Sequence, residues 1–272
     1  MGSEILYEIR GVSYSYLGRF SALQDINLDV KRPEKIALLG ANGSGKSTLL
    51  LLLAGLIFPG AGSARFLGHE MREESFADDA FRRLFRSRVG IVFQNSDSQL
   101  FNSTVEDEVT FGLAQLGLSS EEAGRRFKEY TDLMDIGRLK DRHPQNLSIG
   151  EKKRVAIASV LAMEPEIILL DEPTAGLDPR TSRHLVDAVS AFAERGATVI
   201  TATQDIHIVP EIAERAVVLG EDKSIAKDGP AGEILKDAAF LEAHNLIHTH
   251  AHIHKGTIHV HPHEHPSHDH PH

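Results

Sequence analysis

Three clusters of residues have types and spacings that could do chemistry. The first is Gly40-Ala41-Asn42-Gly43-Ser44-Gly45-Lys46-Ser47-Thr48, which fits G-x-x-x-x-G-K-[ST] at every fixed position. Glycines let such a loop turn its backbone N–H groups inward onto phosphate, and a helix starting at its end adds a positive pole. Asn42, Gly43, Ser44, Gly45, Lys46, Ser47 and Thr48 are therefore candidate nucleotide-binding residues. Lys46 should reach the β- and γ-phosphates, and Ser47 should hold Mg²⁺. The second cluster is Asp171-Glu172, two acids at the end of the apolar run Ile167-Ile168-Leu169-Leu170. Asp171 can orient Mg²⁺ through its water shell, and Glu172 can polarise water for attack on a γ-phosphate. An acidic strand end can also merely cap a sheet in solvent; pairing with the phosphate loop argues for chemistry.

The third cluster is the C-terminal run HNLIHTHAHIHKGTIHVHPHEHPSHDHPH, which starts at His244 and holds twelve of the sixteen histidines. Neutral imidazoles suit Zn²⁺, Cu²⁺, Ni²⁺ or Co²⁺, and affinity order alone does not choose among them. His248, His250, His252, His254, His259, His261, His263 and His265 are the candidate ligands. Spacing of the H-x-H kind puts alternate residues on one side of an extended segment. Proline, glycine and the histidine content oppose a packed core, so residues 244–272 are expected to be disordered without metal. An engineered tag is usually an unbroken run; here Ile, Val, Thr and Glu interleave the histidines.

These residues need elements to hold them. Ile36-Ala37-Leu38-Leu39, Val89–Phe93, Ile167–Leu170, Thr198-Val199-Ile200 and Ala216–Leu219 read as strands buried on both faces. Ile5–Ile9 and Ile26–Val30 read as earlier strands. A helix should begin near Lys46, and Leu185, Val186, Val189 and Phe192 mark another by their spacing. Buried strands alternating with helices imply an α/β fold with a mainly parallel sheet. Residues 104–163 read as mostly helical, an insertion within that plan. Inside it, Ser148 and Glu151 form a capping-box pattern ahead of Val155. Asp178-Pro179 reads as a helix N-cap followed by proline at the first position.

Composition narrows the classes. The 272 residues carry a net charge of -10, which argues against nucleic acid as a partner. Cysteine is absent, which removes disulfides, thiolate metal sites and cysteine nucleophiles. The main apolar run, Leu49–Phe58, is about half the roughly 20 residues that span a bilayer. Any work at a membrane must pass through a partner.

In order and rough spacing, the phosphate loop, Gln94 after an apolar strand, Leu147-Ser148-Ile149-Gly150-Glu151, Asp171-Glu172 and Ala175-Gly176-Leu177-Asp178 resemble the ATP-binding-cassette ATPases. The resemblance spans about residues 4–235. It implies a P-loop (RecA-like) core, an N-terminal antiparallel β subdomain, a helical subdomain at about 95–163, and a cassette covering 1–243. It implies ATP and Mg²⁺ as cofactors, with Gln94 joining Ser47 and Asp171 at the ion. It also implies a head-to-tail homodimer, in which Ser148, Gly150, Glu151 and Asp178 serve the partner's nucleotide. Tyr16, with Tyr14 as the alternative, resembles the aromatic that stacks on adenine. Where the family usually has a histidine facing the γ-phosphate, this chain has Gln204, with His207 three residues on. Glutamine donates a neutral hydrogen bond but cannot be cationic or shuttle a proton.

The stretch Phe93-Gln94-Asn95, Gln99-Leu100-Phe101, Thr104-Val105, Phe111-Gly112 resembles the energy-coupling-factor class. With the histidine-rich tail it looks like the cobalt/nickel uptake branch. That implies an integral-membrane coupling subunit docking after Gln94, a metal-binding membrane subunit, and a place on the cytoplasmic face of the membrane. The competing readings are the same ATPase serving a vitamin or other small solute, a metal-buffering protein with a regulatory nucleotide site, and a soluble cassette acting on DNA or ribosomes.

Overall fold

The computed structural model describes residues 4–254 and 257–263. Two long strands, β1 (Ile5–Tyr16) and β2 (Phe20–Lys31), pair antiparallel. They join β4 (Ala61–Phe66) and β5 (His69–Glu70) in a four-stranded sheet of order β2-β1-β4-β5. This is the expected antiparallel subdomain, with strands longer than the short apolar stretches alone indicated.

The second sheet holds the core. It contains β3 (Lys35–Leu39), β6 (Val89–Val92), β7 (Ile167–Asp171), β8 (Thr198–Ala202), β9 (Arg215–Leu219) and β10 (Ile225–Pro230). Its order is β10-β9-β3-β8-β7-β6, and only the β10–β9 pair is antiparallel. Every residue of β7 and β8 is buried, which is why these strands read as unbroken apolar runs. In a parallel sheet all carboxyl ends point one way, so β3 and β7 deliver the phosphate loop and Asp171-Glu172 to the same edge.

Helix α1 (Lys46–Leu53) runs between the two sheets with Leu49, Leu50, Leu52 and Leu53 buried. It shows little amphipathicity because sheets cover it on opposite sides. Helices α2 (Glu73–Ala77) and α3 (Asp79–Arg88) cover the same core, where Phe66, Phe76, Phe81 and Phe85 pack ring against ring. The helical insert consists of α4 (Val105–Gln115), α5 (Ser120–Leu133) and α6 (Ile149–Leu161). It shares one apolar cluster with α7 (Pro179–Ala193) and with Ile168 and Leu170 of β7.

Short helices α8 (Val209–Ile212), α9 (Ala231–Ile234) and α10 (Ala238–Ala243) close the far side of the sheet. Leu246 and Ile247 are buried in that cluster, so the packed chain runs to Ile247 rather than ending at 243. Beyond it, β11 (His248–His254) and β12 (Thr257–His263) pair antiparallel. The pairing suits period-two patterning: β-branched Thr249, Ile253, Ile258 and Val260 alternate with histidines. The candidate ligand His265 lies outside the described residues.

Candidate nucleotide-binding and hydrolysis site

The phosphate loop leaves β3 at Gly40 and enters α1 at Lys46. Gly45 has φ 111° and precedes the helix directly. A Cβ there would sit 2.4 Å from the Ala22 carbonyl oxygen, so only glycine allows the loop to pass β2 this closely. Lys46 is buried and folds back, donating from Nζ to the carbonyl oxygens of Gly40 at 2.8 Å and Ala41 at 3.2 Å. Burial lowers its pKa, while Glu172 and Asp171 act in the opposite sense. Ser47 Oγ donates to Asp171 Oδ1 at 3.0 Å. From the turn between β9 and β10, Lys223 Nζ donates to the Gly43 carbonyl oxygen at 2.7 Å.

Asp171 ends β7, and burial pushes its carboxyl above the usual range against Ser47, Lys46 and Lys153. Glu172 follows with φ 44°, a left-handed conformation rare for a side-chain-bearing residue. Its N–H donates to the Ala202 carbonyl oxygen at 2.9 Å, which ties it to β8. Burial raises the Glu172 carboxyl, as does Asp171, while Lys46 lowers it. The Gln204 backbone N–H and Thr203 Oγ1, at 3.4 Å, also face that carboxylate. Gln204 thus abuts Glu172 through its backbone, and its side chain is exposed. His207 is exposed too, and its N–H donates to Asp205 Oδ1 at 3.0 Å in a tight local turn.

Tyr16 Oη lies 3.3 Å from Thr48 Oγ1, beside the start of α1. Its ring meets Tyr14 edge-on at 5.1 Å; Tyr14 packs into the core while Tyr16 is 39% exposed. Of the two, Tyr16 offers the free face. Gln94 is exposed just past β6, and its carbonyl oxygen accepts from Lys153 Nζ at 2.8 Å.

Ser148, Gly150, Glu151 and Asp178 form a second cluster. Ser148 caps α6 in a complete capping box, with Glu151 Oε2 accepting from its N–H at 3.0 Å. That bond leads the causes that lower the Glu151 pKa. Asp178 caps α7, accepting from the Arg180 and Thr181 N–H groups at 3.0 Å and from Thr181 Oγ1 at 2.6 Å. Gly150 faces Thr181 and Leu177, so both helix N-termini open on one surface, and Ile149 beside them is 69% exposed.

Three participants were missed in the sequence. They are Lys153, Lys223 and Glu108. Glu108 is buried and accepts from the Phe101 and Asn102 N–H groups at 3.0 and 2.8 Å. It holds Phe101 on the surface, edge-on to Phe111 at 5.1 Å. No local pattern marks any of the three. The donor set fits a magnesium-bound nucleoside triphosphate. Ser47 and Asp171 bring two hard oxygens together, and Lys46 is a cation parked on loop carbonyls beside them.

The comparisons agree with that geometry. The family described as ABC transporter matches residues 23–175. The nickel import ATP-binding protein NikO of Rhodobacter capsulatus is 44% identical over 244 residues, covering 89% of this chain and 95% of its own. The solved structure of CbiO1 from Clostridium perfringens, described as part of the CbiONQ transporter complex, superposes with TM-score 0.75 at 35% identity, covering 89% of this chain and 95% of that one. A dimeric post-hydrolysis state of the cassette MJ0796, bound to ADP and Pi, superposes at TM-score 0.75 and 28% identity, covering 83% and 99% of the two chains. The chain belongs to the ABC transporter family and is an ATPase.

Proposed function

We propose that this ATPase powers uptake of a transition-metal ion, nickel or cobalt, through membrane partners, and that its C-terminal hairpin binds the ion. The observation that carries the metal reading is the hairpin register. It pairs His248 with His263, His250 with His261 and His252 with His259 across the strands. Alternate residues of a strand fall on one face, so this register places the six histidines at positions sharing a face of the paired strands. The opposite register positions, Ala251 with Val260 and Ile253 with Ile258, carry no ligand. Similarity to a nickel import subunit and to CbiO1 supports the same cargo class.

In this reading Lys46 and the N–H groups from Asn42 to Thr48 hold the phosphates, and Tyr16 stacks on adenine. Mg²⁺, when bound, would supply positive charge against the phosphates. Ser47, Asp171 and Gln94 would hold it. Glu172 polarises the attacking water, and Gln204 donates its amide to the γ-phosphate. Ser148 and Gly150 of a second copy complete the phosphate contacts, since a capped helix N-terminus offers the N–H groups an anion needs. Glu151 and Asp178 set the geometry of that seam. The exposed pair Phe101–Phe111 is the docking point for an integral-membrane coupling subunit at the cytoplasmic face. No described helix is long and apolar enough to cross a membrane, which suits a peripheral subunit.

Calorimetric titration with Ni²⁺ and Co²⁺ of the full chain and of a chain ending at Ile247 tests the metal reading. The full chain should bind more than one ion, and the shortened chain should lose most of that binding while retaining ATPase activity. Equal stoichiometry in both would end the metal reading and favour a vitamin or other small solute as cargo.

A further inference from the structure

Helix α6 carries three consecutive cations behind its first three residues, Lys152, Lys153 and Arg154, and they part company. Lys152 reaches Asp97 at the surface over 2.6 Å, and Arg154 donates to the carbonyl oxygens of Met134 and Asp135, each at 3.0 Å. Lys153 turns inward and is 2% exposed. A buried ammonium is costly unless every donor finds a partner, so its retention calls for a physical reason. Its Nζ donates to two main-chain oxygens, that of Gln94 at 2.8 Å and that of Glu172 at 3.3 Å. Gln94 lies two residues past β6 and Glu172 directly follows β7, neighbouring parallel strands of the core sheet.

Glu172 is where such a tether matters. Its left-handed backbone is strained, and strain of this kind persists only where the surroundings over-determine it. The N–H is held by Ala202, and the carbonyl oxygen accepts from Lys153 and, at 3.3 Å, from the Ala175 N–H. The Lys153 bond is the one that comes from the helical insert.

We infer that Lys153 is a positioning residue for hydrolysis: its ammonium pins the Gln94 and Glu172 main chains together, so the Glu172 carboxylate is aimed only when α6 is seated on the core. The inference rests on the reading of Glu172 as the group that polarises water. Lys153 would thereby link the signature helix, which faces the partner's nucleotide in the proposed dimer, to the aim of its own subunit's carboxylate. Burial lowers the Lys153 pKa, and Asp171 and Glu172 act in the opposite sense.

The test uses the full chain with Lys153→Met, which keeps length and loses all donors, and Lys153→Gln, which keeps a neutral donor. Losing both hydrogen bonds, the one to Glu172 included, should lower kcat by about 10–100-fold in the Met variant. The Gln variant should show a smaller loss. KM for ATP and the affinity for a fluorescent ATP analogue should stay within about twofold of the parent in both, because Lys153 contacts backbone rather than nucleotide. Adding Lys153→Met to Glu172→Gln should cost little beyond Glu172→Gln alone. Parental kcat, a loss confined to KM, or fully additive losses would overturn the inference. Should the Met variant fail to fold, the Gln variant is decided by the same kcat-against-KM split. Full turnover in Glu172→Gln alone would instead remove the reading on which the inference rests.

Discussion

Ser47 Oγ and Asp171 Oδ1 lie 3.0 Å apart, joining the first turn of α1 to the last residue of β7. The two residues are 124 positions apart, and the hydroxyl donates to the carboxylate. In the proposed function this pair would hold Mg²⁺ between loop and strand end. Asp171→Asn should raise the Mg²⁺ concentration for half-maximal ATPase activity by about 10–100-fold, the usual cost of losing an outer-sphere carboxylate. Activity titrated against Mg²⁺ at saturating ATP checks this; an unchanged midpoint would place the ion elsewhere.

Glu172→Gln should retain ATP binding, lose most turnover and accumulate an ATP-bound dimer, visible by gel filtration with ATP. The same carboxyl sets a pH limb. Its pKa is raised by burial above the ordinary 4.5, and it must be ionised to polarise water, so kcat should fall as pH drops through that raised value. The stability sign is the reverse. The folded state holds this proton more tightly than the unfolded state, so ionisation costs stability as pH rises through the same window. Glu172→Gln should therefore melt above the parent at neutral pH, and the gain should vanish at pH values below the ordinary glutamate range.

Gln204→Ala should lower kcat by about 10–100-fold through loss of one donor to the γ-phosphate. Gln204→His should be active. The rival is His207, on the next turn of chain. If Gln204→Ala matches the parent while His207→Ala is inactive, the contact belongs to His207.

Leu246 and Ile247 predict where the tail can be cut. A chain ending at Ile247 should melt like the parent. One ending at Ala243 should be destabilised, since each buried aliphatic side chain contributes about 1.5–3 kcal/mol. Differential scanning calorimetry of the two separates them. In the full chain, metal binding should weaken between pH 7.5 and 5.5, because free imidazoles with a reference pKa of about 6.5 take up protons in competition with the metal. Binding that is equal at both values would exclude imidazole ligands.

The phosphate loop, the Asp171-Glu172 strand end and the strand-helix alternation were legible in the sequence because their causes are local. A glycine-rich turn between an apolar strand and a helix needs only neighbouring residues, and a strand buried on both faces must be apolar throughout. Capping by Ser148 and Asp178 was equally local. The inward turn of Lys153 was not legible. Lys152, Lys153 and Arg154 are chemically alike, and helical phase chooses one for the interior only once α6 packs against both the insert and the core sheet. Likewise Glu172 is held left-handed by Ala202 and Lys153, which lie 30 residues after it and 19 before it. Burial of Leu246 and Ile247 depends on a surface built from β3, β9 and α8. Types and spacings of residues determined the chemistry available to this chain; packing between distant segments decided which groups aim it.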